Sequence, residues 1–208
     1  MLKKSVVIKR KRMNLPRFNY KNLIFFVLFF CGLIIGLLTM KEDESTLKDV
    51  FSTFFNEYIT KKSQGNFLNN FLDALLIIII PSFASFIFGL CAMGIPIIIA
   101  IPTLTGVAIG MATGFLYSSY SLQGLGYAAL IIIPTLSVVV ATLINCLSEA
   151  INMSIEIIAA ISGYQSQNRR NELKDYCLRY IIFFVPLILS AILNAGCYKL
   201  FNGLFSFI

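Results

Sequence analysis

The chain has 208 residues, of which 58% are hydrophobic and only 13% are charged, about half the charged fraction of an ordinary soluble protein. Its formal net charge is +7, and it contains no histidine, so the commonest general base and the commonest metal ligand of proteins are both missing. This composition excludes an ordinary soluble domain. It predicts an all-α, polytopic membrane helical bundle.

Residues 1–21 form a basic arm. The arm holds eight Lys or Arg side chains and no acid, whereas segment 41–73 holds four basic and six acidic side chains. Basic segments beside membrane spans remain in the cytoplasm, so the arm predicts a cytoplasmic N-terminus. We interpret it as a topology signal that also attracts anionic membrane lipid, and we expect no binding to nucleic acid.

Five apolar segments are long enough to cross a bilayer, since a hydrocarbon core of ~30 Å requires about 20 helical residues. The longest charge-free run has 75 residues, between Asp73 and Glu149, and accommodates three crossings. Alternation of five crossings gives an N-in, C-out topology within a single membrane domain, 22–208, with segment 148–180 inside. The predicted spans are 22–40, 71–93, 97–117, 127–147 and 181–199.

Two breaks divide the long apolar run. Gly94-Ile95-Pro96 interrupts the helical pattern after the second span, and we predict a tight hairpin turn at Gly94 and Pro96. The polar, glycine-containing stretch 118–126 interrupts it after the third span. These breaks separate the second, third and fourth crossings.

The segment between the first two spans is predicted to contain an amphipathic helix at about 46–60. Its apolar residues recur at three- and four-residue spacing, which is the period of one helical face. We expect this helix on the outer membrane surface, packed on the bundle or on lipid headgroups. The alternative is a face that docks a partner. The candidate docking residues are Phe51, Phe54, Phe55 and Tyr58.

Glycines repeat every four residues in the first and third spans. Helices in lipid associate through small residues, because these let two backbones approach closely. We therefore predict that the glycines pack helices, within one chain by default, and a homo-oligomer remains possible. The helix-packing residues are Gly32 and Gly36 in the first span and Gly106, Gly110 and Gly114 in the third.

Two carboxylates and two amides share one helical stripe at the end of the fourth span. Their spacing is i, i+4, i+7 and i+11. Such a stripe inside the membrane would suggest an ion pathway. We favour the simpler interpretation that the helix has left the hydrocarbon by Ser148, or else that the stripe docks a basic segment or a partner. Its members are Asn145, Glu149, Asn152 and Glu156.

No pattern of catalytic or cofactor-binding residues is found in the sequence. Neither Gly-x-Ser-x-Gly nor the phosphate-binding Gly-x-x-x-x-Gly-Lys occurs. The five cysteines lie in or beside apolar spans without Cys-x-x-Cys spacing, which is typical of small buried hydrophobes. We predict a protein that is not an enzyme and that uses no catalytic residue, cofactor or metal.

The residues from about Phe86 to Pro134 resemble the stage II sporulation protein M family of bacterial membrane proteins. The resemblance is carried by a Gly-Ile-Pro turn at 94–96, the glycine repeat 106–114, and Gly-Phe-Leu at 114–116. It implies a plasma-membrane protein of endospore formation, located at the septal or engulfing membrane. It also implies a scaffold that recruits two cell-wall hydrolases, the stage II sporulation proteins D and P.

Two other functions compete with the scaffold. An accessory membrane subunit of a transporter could use the polar stripe of the fourth span to line a path, although spans two to four carry no charge apart from Asp73 at the edge of the second span. A lipid-binding or curvature-sensing protein could use the phenylalanine-rich outside helix. Tests of the outside helix and of Glu149 and Glu156 would distinguish these functions.

Overall fold

The computed structural model describes residues 20–41, 49, 52–54, 57, 65–162 and 169–201. These residues are almost entirely helical, and no strand occurs among them. The helices are α1 (Tyr20–Lys41), α2 (Phe67–Gly89), α3 (Ile95–Tyr127), a π-helical turn (Ala128–Ile132), α4 (Ile133–Ile161) and α5 (Arg169–Phe201).

The turn between α2 and α3 depends on a glycine. A side chain at Gly94 would overlap the carbonyl group of Phe88, so only glycine fits where the chain turns back. Pro96 lies in the first turn of α3, where a missing backbone N–H is harmless. The turn therefore occupies residues 90–94, and α2 ends at Gly89 rather than near the predicted residue 93.

The chain reverses direction at a single residue, Ser121, near the end of α3. Ser121 has φ 49° and ψ −127°, a conformation that favours glycine, within an otherwise continuous helix. After the reversal, Gly124 packs against the carbonyl of Leu116. The π-helical turn follows and ends just before Pro134, which has no N–H for a regular helical hydrogen bond.

The residues that meet between helices show in which direction each helix runs. Gly32 of α1 contacts Thr103 of α3, and Met40 contacts Gly114, so α1 and α3 run parallel. Ile98 and Leu147 share one buried cluster while Leu116 and Tyr127 share another, so α4 runs antiparallel to α3. Ala74 of α2 packs near Ala191 of α5, and Phe86 stacks on Tyr176, so these two helices are also antiparallel.

The predicted all-helical membrane bundle is confirmed at this coarse level. Within the described residues, four continuous helical stretches are long and apolar enough to cross a membrane. The third stretch, Ile95–Ile161, includes both α3 and α4 and folds back on itself at Ser121. The helices also extend beyond the predicted spans, because α4 continues to Ile161 and α5 begins at Arg169.

Candidate functional site

A close contact between α1 and α3 contains all five glycines of the predicted repeats. An added Cβ would overlap a backbone carbonyl of the facing helix at four of them: Gly32, Gly36, Gly106 and Gly110. At the fifth, Gly114, an added Cβ would lie 3.0 Å from Cβ of Met40. The two backbones touch along this contact, which we call the glycine seam.

A second contact of small residues, between α2 and α5, was not singled out from the sequence. Ser85 and Gly89 of α2 are buried, as is Ala191 of α5. A side chain at Gly89 would meet the hydroxyl of Tyr176 and would lie 3.0 Å from Cα of Ala150 in α4. Serine, alanine and glycine are mixed here with large residues, so a search for regular glycine spacing does not find the contact.

A polar cleft of about 530 Å³ lies at the end of the bundle that holds the N-terminus of α1. Lys21 Nζ donates a hydrogen bond to Asn152 Oδ1 at 2.7 Å, which ties α1 to α4. Arg179 Nη1 donates to Glu149 Oε2 at 2.6 Å, which ties α5 to α4. Both cations that line the cleft thus engage the polar stripe predicted on α4.

Tyr176 lines the cleft and belongs to a cluster of aromatic side chains. The ring of Tyr176 stacks on Phe86, with centroids 5.3 Å apart and planes 9° apart. The Tyr176 hydroxyl donates to the Phe86 carbonyl at 3.0 Å, and the Tyr180 hydroxyl donates to the Cys146 carbonyl at 2.9 Å. Ser85 lies 3.0 Å from the Tyr180 hydroxyl. These bonds join α2, α4 and α5.

The structure divides the predicted polar stripe between two places. Glu149, Asn152 and Glu156 line the cleft. Asn145 instead lines an apolar groove between α1 and α4, and its amide donates to the Ala141 carbonyl at 2.9 Å. The stripe is therefore not one continuous surface.

Only part of the predicted outside helix is described. Residues 49, 52–54 and 57 are helical, and the hydroxyls of Ser52 and Thr53 donate to the Asp49 carbonyl. The Phe54 side chain is 69% exposed. Phe51, Phe55 and Tyr58 lie outside the described residues, as does most of the basic arm.

Carboxylates are the most frequent charged groups among the described residues that line the cleft. Four of them, from Glu149, Glu156, Glu172 and Asp175, accompany the two described cations, Lys21 and Arg179. In the described part of the chain, no three His, Cys, Asp or Glu side chains are close enough to hold a metal ion.

The chain matches the family described as SpoIIM, Stage II sporulation protein M, over residues 25–196. It belongs to this family. The match extends from α1 to near the end of α5, so both the glycine seam and most of the polar cleft are within the family region. The resemblance inferred from residues 86–134 is thereby confirmed, as is a membrane protein of a sporulation family. No curated protein and no solved structure shows a significant match.

Proposed function

We propose that the chain is a non-catalytic membrane scaffold for endospore formation, which recruits cell-wall hydrolases to the membrane it occupies. The observation that carries the sporulation role is the family match over residues 25–196. Within that role, we propose the septal or engulfing part of the plasma membrane as its location. The proposed partners are the stage II sporulation proteins D and P.

We further propose five membrane crossings, with the N-terminus in the cytoplasm and the C-terminus outside. The alternating directions of α1, α2, α3, α4 and α5 support five crossings. Lys21, at the start of α1, and Arg179, near the start of α5, both line the polar cleft at one end of the bundle, and in the sequence the basic arm directly precedes α1. Under the positive-inside rule, this end faces the cytoplasm.

This orientation makes segment 42–66 the partner-docking element. The segment leaves α1 after Lys41 and enters α2 at Phe67, both at the end opposite the polar cleft. The other connections are short, since α2 and α3 are joined by residues 90–94 and α3 reverses at Ser121. We therefore propose segment 42–66 as the wall-facing docking surface, and Phe54 is an exposed apolar side chain among its described residues.

Rigid packing suits a protein that holds others in place. The glycine seam fixes α1 to α3 by backbone contact, and the tyrosine hydrogen bonds join α2, α4 and α5. Segment 42–66 is attached to one helix of each group, α1 and α2. The two ends of the segment are thus held by tightly packed helices, and this reduces the conformational entropy that the segment loses when it binds a partner.

Affinity purification from sporulating cells tests this proposal. The tagged full chain is solubilised in mild detergent, and co-purifying proteins are identified by mass spectrometry. We expect both hydrolases with the wild type, and their loss in Phe54→Ser and in a triple variant that also replaces Phe51 and Phe55 by Ser. Thr53→Ala is the matched control, because Thr53 is an exposed neighbour on the same helix.

The outcomes separate the scaffold from its competitor. Loss of the hydrolases in Phe54→Ser, with normal membrane insertion and with retention in Thr53→Ala, supports docking through segment 42–66. Equal recovery with all variants would refute that docking surface. Recovery of nucleotide-driven transporter subunits in place of hydrolases would refute the scaffold and favour the accessory transporter subunit.

A further inference from the structure

An apolar groove runs along the bundle beside α1. The half beside the polar cleft is a cavity of about 640 Å³ between α1 and α4, and the other half is a cavity of about 690 Å³ that α3 also lines. Leu33, Ile133 and Leu136 line both cavities, so the two halves adjoin. The groove exists because α1 packs closely on α3 and makes little contact with α4.

The half beside the cleft has the length of one membrane leaflet. On α1 it extends from Asn22 to Leu33. At 1.5 Å per residue this is about 16 Å, roughly half of a ~30 Å hydrocarbon core. A single acyl chain that enters from the membrane surface would fill it.

Apart from Ser137, the polar side chains that line this half lie at its surface end. Asn22 and Asn145 line that end, and Ser148 donates a hydrogen bond to Asn22 Oδ1. The Asn145 side chain is exposed. Its NH₂ group donates one hydrogen bond to the Ala141 carbonyl, and the remaining donor and the acceptor oxygen of the amide require partners that hydrocarbon does not offer. Phosphate, ester and glycerol groups of a phospholipid would supply donors and acceptors at this depth.

The walls of the groove favour a lipid chain over a transmembrane helix. Phe26 and Phe30 project from α1, with 46% and 44% of their surfaces exposed and ring centroids 4.7 Å apart. Ser137 and Ala141 provide small residues only on the α4 wall. A helix about 10–12 Å wide needs small residues on both sides for close approach, whereas an acyl chain can lie between the rings and α4.

A described cation lies at the surface end of the groove. Lys21 precedes Asn22 on α1, and its ammonium group donates to Asn152, one helical turn beyond the Ser148 that bonds Asn22. We propose that this half of the groove binds one anionic phospholipid, with an acyl chain along Phe26, Phe30 and Ala141 and the headgroup beside Asn22 and Asn145. The site is independent of the proposed scaffold role.

Native mass spectrometry of the full chain tests the site. The protein is reconstituted in vesicles of equal parts phosphatidylglycerol and phosphatidylcholine and then released into detergent. We expect each chain to retain one phosphatidylglycerol molecule. We also expect phosphatidylglycerol to be retained about fivefold or more over phosphatidylcholine, because one interfacial cation provides about that preference for an anionic lipid. Ala141→Trp should abolish retention by filling the groove. Ala108→Trp is the matched control, since Ala108 is an equally exposed alanine in a different groove, on α3.

A second measurement uses the wild type alone and so does not depend on how the variants fold. A photoreactive phosphatidylglycerol with a diazirine on its acyl chain should crosslink to α1 and α4 around Phe26, Phe30 and Ala141. Equal retention of both lipids, or crosslinks spread evenly over the exposed helix faces, would overturn the proposal. A dimer that Ala141→Trp dissociates would also overturn it, by assigning the groove to a second copy of the chain.

Discussion

One added methyl group at Gly110 should destabilise the bundle, because the backbones of α1 and α3 touch there. A Cβ at this position would overlap the carbonyl oxygen of Leu33, lie 3.0 Å from the carbonyl carbon and lie 3.1 Å from Cα of Gly36. These are all backbone atoms, so no side-chain rotation can relieve the overlap. The two helices must move apart to accept Gly110→Ala.

The size of the effect follows from two opposing terms. Overpacking of a close contact costs about 1–3 kcal/mol, while alanine in place of glycine within a helix gains roughly 0.5–1 kcal/mol. We expect a net loss of about 1–2 kcal/mol in the free energy of unfolding for Gly110→Ala. A Cβ at Gly196 of α5 would meet no atom within 4 Å, so Gly196→Ala should show only the stabilisation that alanine gives a helix over glycine.

Unfolding by a denaturing detergent, followed by far-ultraviolet circular dichroism, measures both variants in the same mixed micelles. We expect the midpoint to fall for Gly110→Ala and to hold or rise for Gly196→Ala. A larger residue should amplify the difference, so Gly110→Leu should reduce accumulation of the protein in membranes. If Gly110→Ala behaves like Gly196→Ala, the glycine seam is not a backbone contact and the reasoning fails.

Three further substitutions test other parts of the structure. Arg179→Gln should lower stability by no more than about 1 kcal/mol, because its ion pair with Glu149 is partly exposed; a larger loss, or a loss unaffected by salt, would contradict this. Tyr180→Phe should cost about 1 kcal/mol of unfolding free energy by removing its interhelical hydrogen bonds, whereas Tyr117→Phe, at an exposed position, should cost nothing measurable. Ser121→Gly should raise the melting temperature, since a non-glycine residue at φ 49° carries about 1 kcal/mol or more of strain; a lower melting temperature would indicate that the serine side chain stabilises the reversal.

The apolar helices could be predicted from the sequence because hydrocarbon imposes a simple demand on composition and length. The run between Asp73 and Glu149 carries no charge, and the structure places most of α2, all of α3 and the first half of α4 there. The reversal between α3 and α4 was expected over the polar stretch 118–126, but it is concentrated at Ser121. Residue polarity indicates where a helix can break, whereas the geometry of a single strained residue depends on how the flanking helices pack.

Which helices pack against one another was harder to predict than where the helices lie in the sequence. Glycine spacing indicates that a helix approaches another closely, but Gly106 and Gly110 do not specify α1 as the neighbour. The division of the polar stripe likewise depends on how α1 and α5 pack against α4. Asn145 and Glu149 share one side of α4, but Asn145 lines the groove beside α1, whereas Glu149 lines the cleft and pairs with Arg179 of α5. Such pairings depend on tertiary arrangement, which spacing along one helix does not encode.

The arrangement of polar groups favours a protein that works through its surfaces over one that conducts a substrate. Tyr176, which lines the cleft, stacks on Phe86. The hydroxyls of Tyr176 and Tyr180 are hydrogen-bonded to backbone carbonyls, and Ser154 donates to the Cys91 carbonyl of the α2–α3 turn at 2.8 Å. Hydroxyls that satisfy backbone groups in this way hold helices together. A transport path through the cleft would require these bonds to break and the aromatic cluster to open, whereas recruitment through segment 42–66 requires no movement of the bundle.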